Sequence, residues 1–243
     1  MEPKIFIFVI ASFNEPEYID FIRLRKLQLQ KYGVDHYFLF DDLPPPNYEF
    51  DSKDIYIPKE FIENKRADIN PHMNPYMVIK FLKGLTKINE KEYDYIIRVN
   101  LSTFLNIPKL IVKLQDKPRT NFAMSNIIKQ ILPDWETYNN TYLILLSGTC
   151  MIMSSDIVGK LKTVKLTSPI LYMHNDDTVL SHIIVSYDPV IDNEPMYYLH
   201  NEKTCPHEIF EKYCVYRIKN DWDRSIDIKH WKYLLKHIDN IEV

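Results

Sequence analysis

The sequence predicts an α/β protein built on a mostly parallel sheet with helices on both faces. Three observations carry this. Ile5 to Ala11 is a continuous apolar run, the pattern of a strand buried on both faces. Strand-like and helix-like segments alternate through the first half of the chain, as parallel connections require. No internal repeat, low-complexity tract or linker divides the 243 residues, of which 46% are hydrophobic and 13% aromatic, enough for a sizeable core.

The elements follow in order. Ser12-Phe13-Asn14-Glu15-Pro16 ends the first strand with turn residues. Tyr18 to Lys31 has helical spacing, and Gly33 is placed to terminate it. His36 to Phe40 is a second strand, closed by Asp41-Asp42 and by Pro44-Pro45-Pro46, which excludes regular structure. Asp54 to Ile57 reads as a short strand and Pro75 to Lys87 as a helix with Pro75 in its first turn. Tyr93 to Val99 is a strong strand, and Ile107 to Leu114 a short helix begun by Pro108. Asn121 to Ser125 and Gly148 to Met153 are strand-like, with Leu143 to Leu146 apolar between them. Ser154-Ser155-Asp156 caps a helix to about Leu161, Asp176-Asp177 precedes a helix from Thr178 to Tyr187, and Asp227 to Ile238 forms a last amphipathic helix.

Composition removes several function classes. The net charge of −3 lacks the basic excess of a nucleic-acid binder. With 4 Gly, none in GxGxxG or GxxxxGK spacing, the common phosphate-cradling loops are absent. Cys150, Cys205 and Cys214 fit neither a zinc site nor a disulfide framework. No apolar stretch reaches the ~18 residues of a membrane span, and the first residues read as a buried strand, not a signal peptide.

Ligands on such sheets bind beyond the carboxyl ends of the strands. Ser12 to Glu15, Asp41-Asp42 and Arg98 to Ser102 therefore converge on one rim. Basic residues concentrate again near the end of the chain, in Arg217, Lys219 and Arg224, where they are suited to clamp a phosphate. The histidines His174, His182, His200 and His207 match no HExxH or zinc spacing.

Three segments resemble the β-1,3-glycosyltransferase superfamily of galactosyltransferases and Fringe-type enzymes. In Tyr93 to Asn106, YDYIIRVNLSTFLN, Asn100, Leu101 and Ser102 stand where that family has three aspartates. Phe104 and Asn106 match, Arg98 replaces a lysine, and the upstream helix with Lys80 resembles the family's NLTLKT helix. Ser147 to Leu161 resembles the G-x-G-Y-x-x-S-x-D element through Gly148, Ser154 or Ser155, and Asp156, with Cys150 at the second glycine. Asn175 to Ile184, NDDTVLSHII, resembles the acidic element that begins a helix and carries the catalytic base, with Ser181 at the family's glycine.

The resemblance implies a GT-A fold in one domain, with residues 1–106 as its Rossmann-like nucleotide half and 107–243 as the acceptor half and C-terminal segment. It implies an inverting hexosyltransferase taking a UDP-sugar to a glycan or protein hydroxyl. Asp177 is then the base, with Asp176 beside it to orient it or hold the donor. Ala11, Ser12 and Phe13 contact the nucleotide; Asp41, Asp42, Lys80, Arg98, Asn100 and Ser102 complete the donor wall; Trp135 and Gly148 face the acceptor. Relatives hold Mn²⁺ or Mg²⁺ on the last acid of the triplet, which is Ser102 here. Either Asp41, Asp42 and a late histidine such as His200 recruit the metal, or Arg217, Lys219 and Arg224 on a mobile C-terminal segment replace it. Without an anchor, a cytoplasmic place is expected, in a microbe or in the host cell or virion of a large virus. Two rivals stay open: an inactive nucleotide-sugar or glycan-binding module, motivated by the missing triplet, and a nucleotidyltransferase, which the Gly-free Ala11 to Glu15 turn disfavours.

Overall fold

The structure, a computed structural model, describes residues 1–58, 76–133, 140–168, 171, 176–199, 207–220 and 223–243. Its centre is β1 (Ile5–Ile10), whose six residues are all buried. It pairs in parallel with β2 (Asp35–Phe40) on one side and β4 (Tyr95–Asn100) on the other, so Ile10 is level with Leu39 and Asn100. The carboxyl ends of these strands thus share one edge, as the apolar runs predict. β3 (Asp54–Tyr56) extends the sheet beyond β2.

Past β4 the direction reverses at β7 and is restored at β6. β7 (Asn140–Ser154) is antiparallel to β4, β6 (Phe122–Pro133) is antiparallel to β7, and β8 (Val190–Asn193) is parallel to β6. The seven-stranded order is β3-β2-β1-β4-β7-β6-β8, a mixed, mostly parallel sheet of the GT-A kind. The sequence suggests only short strands at 121–125 and 148–153. Both run longer: the β6–β7 pairing breaks at a bulge beside Ser147-Gly148, where the register shifts between Ser125 and Ile127, and it resumes with Ile127 opposite Leu146.

A second sheet escapes the sequence reading. β5 (Thr103–Leu105), β9 (Met196–Leu199) and β10 (Val215–Ile218) lie in the order β5-β10-β9. Each is too short to show a period, and the pairing of Arg217 with Thr103 joins segments remote in sequence.

The helices cover both faces. α1 (Tyr18–Lys31) is followed by Gly33 at φ +59°, the left-handed turn a glycine adopts freely. α2 (Tyr76–Leu85), α4 (Ser155–Leu161) and α5 (Asp176–Val185) pack on the face carrying Phe6, Phe8 and Ile10. α3 (Ile107–Leu114) has Pro108 in its first turn and is capped by Asn106, whose side chain accepts from the Lys109 N–H at 3.2 Å. α6 (His207–Lys212) is a further short helix. α7 (Arg224–His237) starts earlier than the expected Asp227, because Asp223 caps it by accepting from the Ser225 N–H at 2.9 Å. Among the described residues no helix is long and apolar enough to cross a membrane.

α1 and α7 clasp each other on the face carrying Ile5, Ile7 and Val9. Trp231 of α7 is fully buried and meets Phe21 and Phe104 edge-on, while the Arg25 guanidinium lies 4.5 Å from its ring centroid. At the far end, Gln28 of α1 donates to Asp239 at 2.6 Å and to the Leu105 carbonyl at 2.8 Å. Trp231→Ala is expected to cost about 3–5 kcal/mol in urea denaturation, from lost burial plus the cavity left behind. A loss under about 1 kcal/mol would show that α7 is not clamped through this residue.

Candidate active site

At the carboxyl edge of β1 and β4 a cleft of about 390 Å³ opens. Ala11 and Ser12 enter it from the end of β1, and Asn100, Leu101 and Ser102 from the end of β4. Arg217 reaches it from β10, Lys219 from just beyond that strand and Arg224 from the first residue of α7, and Glu15, Tyr18 and Met77 complete the wall. The structure thus brings together seven residues singled out in sequence: Ala11, Ser12, Asn100, Ser102, Arg217, Lys219 and Arg224. Asn100 Oδ1 is enclosed there without a hydrogen-bond partner.

Arg217 belongs to a paired strand and Arg224 to the first turn of a helix. Arg217 Nη1 donates to Ser102 Oγ at 2.7 Å and to Thr103 Oγ1 at 3.3 Å, a contact set by the β5–β10 register. Arg224 donates to Tyr18 Oη at 2.8 Å and to Asp227 Oδ2 at 2.7 Å, and Asp227 also accepts from the Asn220 N–H. Glu15 belongs to the Ser12 to Glu15 turn expected on this rim, whereas Tyr18 was not singled out in sequence, and Asp227 only as the start of the last helix. The i,i+3 spacing of Arg224 and Asp227 was the available signal for their pairing. Burial, and then the adjacent Arg224 charge, pull the Arg217 pKa down; Tyr18, Tyr198 and Asp177 work against this. Three cationic side chains thus meet at the cleft, with Glu15 on its wall and Asp227 paired with Arg224 behind it.

Beside it lies an acidic pair. Asp176 and Asp177 occupy the first turn of α5, where the helix dipole favours negative charge. Arg98, buried in β4, donates to Asp176 Oδ2 at 2.7 Å and to the Gly148 carbonyl, and its Nη1 stands 3.9 Å from Asp177 Oδ1. Gly148 is required by this approach. A Cβ there would overlap the Asp177 carboxylate and come within 2.6 Å of Arg98 Nη1. Asp177 keeps 38% of its side chain exposed, yet its pKa is pushed up to about 6. Burial is the main cause; Arg98 and a Gly148 hydrogen bond oppose it, and the Asp176 charge adds to it.

Several residues expected on the donor wall serve elsewhere. Arg98 does not line the cleft, because its guanidinium is enclosed by Asp176 and Gly148. Lys80 is buried and donates to Asp41 at 2.7 Å and to the Ala11 carbonyl at 2.9 Å, so it braces the turn after β1 and neutralises Asp41. Asp42 accepts from the Phe13 N–H at 2.6 Å, and burial raises its pKa. The Phe13 ring stacks on Phe40, centroids 4.7 Å apart, inside an aromatic cluster with Tyr48 and Phe50. Gly148 abuts the acidic pair. Trp135 and His200 lie outside the described residues. Among those described, no three His, Cys, Asp or Glu side chains group as metal ligands would.

No protein-family model matches the chain, and no curated protein matches it. Its structure is similar to that of a glycosyltransferase involved in the glycosylation of the major capsid of PBCV-1. The TM-score is 0.51 at 10% identity, over 94% of this chain and 98% of that one. A second solved structure is a mutant Drosophila β1,4-galactosyltransferase 7 in complex with manganese, UDP-Gal and xylobiose, with a TM-score of 0.42 at 12% identity over 79% of this chain and 64% of that one. The first likeness shows the shared fold.

Two outcomes follow from the acidic pair. Between pH ~4 and ~6 the folded chain holds a proton on Asp177 that the unfolded chain releases, so this group's contribution to stability falls as pH rises through that window. Asp177→Asn is therefore expected to melt no lower than the parent at pH 7.5, with the two curves converging near pH 4. A clear drop in melting temperature at pH 7.5 would show that the carboxylate stabilises the fold. Gly148→Ala is expected to melt several degrees lower, by displacing the carboxylate from Arg98; an unchanged melting temperature would mean the approach is loose.

Proposed function

We propose that this chain is an inverting glycosyltransferase that moves a hexose or N-acetylhexosamine from a UDP-sugar to a hydroxyl of a glycan or protein acceptor. The observation that carries the reading is a part-exposed carboxylate of raised pKa, Asp177, within electrostatic reach of Arg217 on the wall of a cationic cleft at the carboxyl ends of β1 and β4. A sugar nucleotide needs those two features side by side: positive charge for the departing diphosphate and a base for the incoming hydroxyl. The shared fold supports a cleft in this place, and the three-segment resemblance supports uridine as the base.

In this reading Ala11 and Ser12 border the nucleoside, while Asn100 and Ser102 border the ribose and the first phosphate. Residues 1–106 supply that half of the site; 107–243 supply the acidic pair, the cations and the acceptor side, where Gly148 sits against Asp177. The acceptor oxygen bonds to the anomeric carbon as the bond to the diphosphate oxygen breaks, and its proton passes to Asp177. Attack opposite the leaving group inverts the anomeric configuration. Arg98 acts through Asp176, as a positioning residue for Asp177.

Asp177 accepts a proton only when ionised, so its raised pKa becomes a kinetic signature. With purified protein and a panel of UDP-sugars and sugar acceptors, kcat/KM is expected to rise through an apparent pKa near 6. Asp177→Asn should lower kcat by about 10²–10⁴-fold while UDP still binds. Wild-type turnover in that variant would refute the base assignment. UDP binding with no sugar transfer or UDP release from any donor would favour the binding-module alternative.

A further inference from the structure

We infer that the leaving diphosphate is neutralised here by Arg217, Arg224 and Lys219, in place of the divalent cation that other enzymes of this fold hold at the end of the fourth strand. The inference rests on the function proposed above and concerns how that same site handles charge.

The residues present do not fit a hard divalent cation. Such an ion needs several oxygen ligands, carboxylates among them, at about 2.0–2.6 Å. Where the family's triplet would stand are Asn100, Leu101 and Ser102. Ser102 Oγ already accepts a hydrogen bond from Arg217 Nη1 at 2.7 Å, so an ion bound to that oxygen would meet a guanidinium at contact distance. Of the nearby acids, Asp41 is paired with Lys80 and Asp176 with Arg98, while Asp42 accepts from the Phe13 N–H through one oxygen and keeps the other buried, away from the cleft wall. Glu15 is the one carboxylate among the described residues of the cleft wall, against three cationic side chains there.

The same geometry suits a diphosphate. Arg217 is braced on Ser102, a neutral oxygen that orients the guanidinium without cancelling its charge. Arg224 is braced by Tyr18 from α1 and Asp227 one turn along α7. Lys219, exposed two residues after Arg217 on the same edge, adds a compact charge at the rim. Groups anchored this way need little reordering as negative charge develops on the leaving oxygen.

Calorimetric titration of UDP into the full chain, with EDTA and again with Mn²⁺, tests this. The affinity is expected to agree within about threefold between the two. In EDTA, Arg217→Ala should weaken UDP by roughly 10- to 100-fold, the loss of a charge-assisted contact. Because Arg217 also joins two strands, Lys219→Ala serves as the second variant: its exposed side chain should leave the melting temperature unchanged and weaken UDP several-fold. UDP binding that appears only with Mn²⁺ overturns the inference and leaves the transferase reading standing. So does uridine binding as tightly as UDP, or full affinity in both variants. No UDP binding under either condition removes the donor reading and the inference together.

Discussion

A guanidinium buried in a sheet must be given counter-charge, and Arg98 organises the site by that demand. Removing an ion from water costs several kcal/mol unless partners replace the lost hydration. Arg98 sits in β4, 1% exposed, and its partners come from two other elements. Asp176 brings the start of α5 to the strand, and the Gly148 carbonyl brings β7 close. Gly148 follows as a necessity, since the carboxylate of Asp177 occupies the space a side chain would fill. The two acids then part ways. Asp176 takes the direct ion pair, while Asp177 receives the weaker 3.9 Å interaction together with the burial and the repulsion from its neighbour. Asp177 thereby acquires a raised proton affinity, the condition for exchanging protons near neutral pH.

The cleft depends on a second, longer-range arrangement. Parallel pairing of β1 with β4 brings Ala11 and Asn100 to one edge, where Lys80 is paired with Asp41 and does not line the cleft. The positive wall is delivered by segments more than a hundred residues away. Arg217 arrives through the β5–β10 register, and Arg224 arrives because α7 packs along α1, with Trp231 and Asp239 locking the pair. Packing in the core therefore sets the angle at which charge meets the cleft. A loosened α7 would displace Arg224 from Tyr18 while leaving the strands intact.

These origins explain what the sequence could and could not convey. The first strand, the helix ending at Gly33, the strand before Asn100 and the Pro108 helix all have local causes: an apolar run, a left-handed glycine, a proline in a first turn. The convergence of Ser12, Asn100 and Ser102 follows from parallel strands alone. The small sheet has no local cause, since strands of three or four residues show no period and exist only through their partners. Arg98 illustrates a subtler limit. A basic residue at a strand end is equally suited to a phosphate or an acid, and only the placement of α5 decides for Asp176. Asp41 and Lys80 likewise look like two independent ligand-binding residues until the 2.7 Å ion pair between them is seen.

The contrast between Arg98 and Arg217 gives Ser102 its meaning. Both guanidiniums lie near the ends of neighbouring segments, and both are largely withdrawn from water. Arg98 is matched by a carboxylate, so its charge is cancelled where it stands and it serves as a brace. Arg217 is matched by hydroxyls, from Ser102 and Thr103, which fix its orientation and leave its charge outstanding. An aspartate in place of Ser102 would form an ion pair at that distance and neutralise both groups, and neither would then attract an anion. A serine at the position where the family carries an acid is therefore consistent with the arginine opposite it. Ser102 and Arg217 form one electrostatic unit, in which a neutral acceptor keeps a positive charge available to the cleft. Asn100, Leu101 and Ser102 in place of three acids, read in isolation, suggest a site without its chemistry. Read with the residue that Ser102 holds, they are compatible with a site that carries its positive charge on the chain in place of an ion.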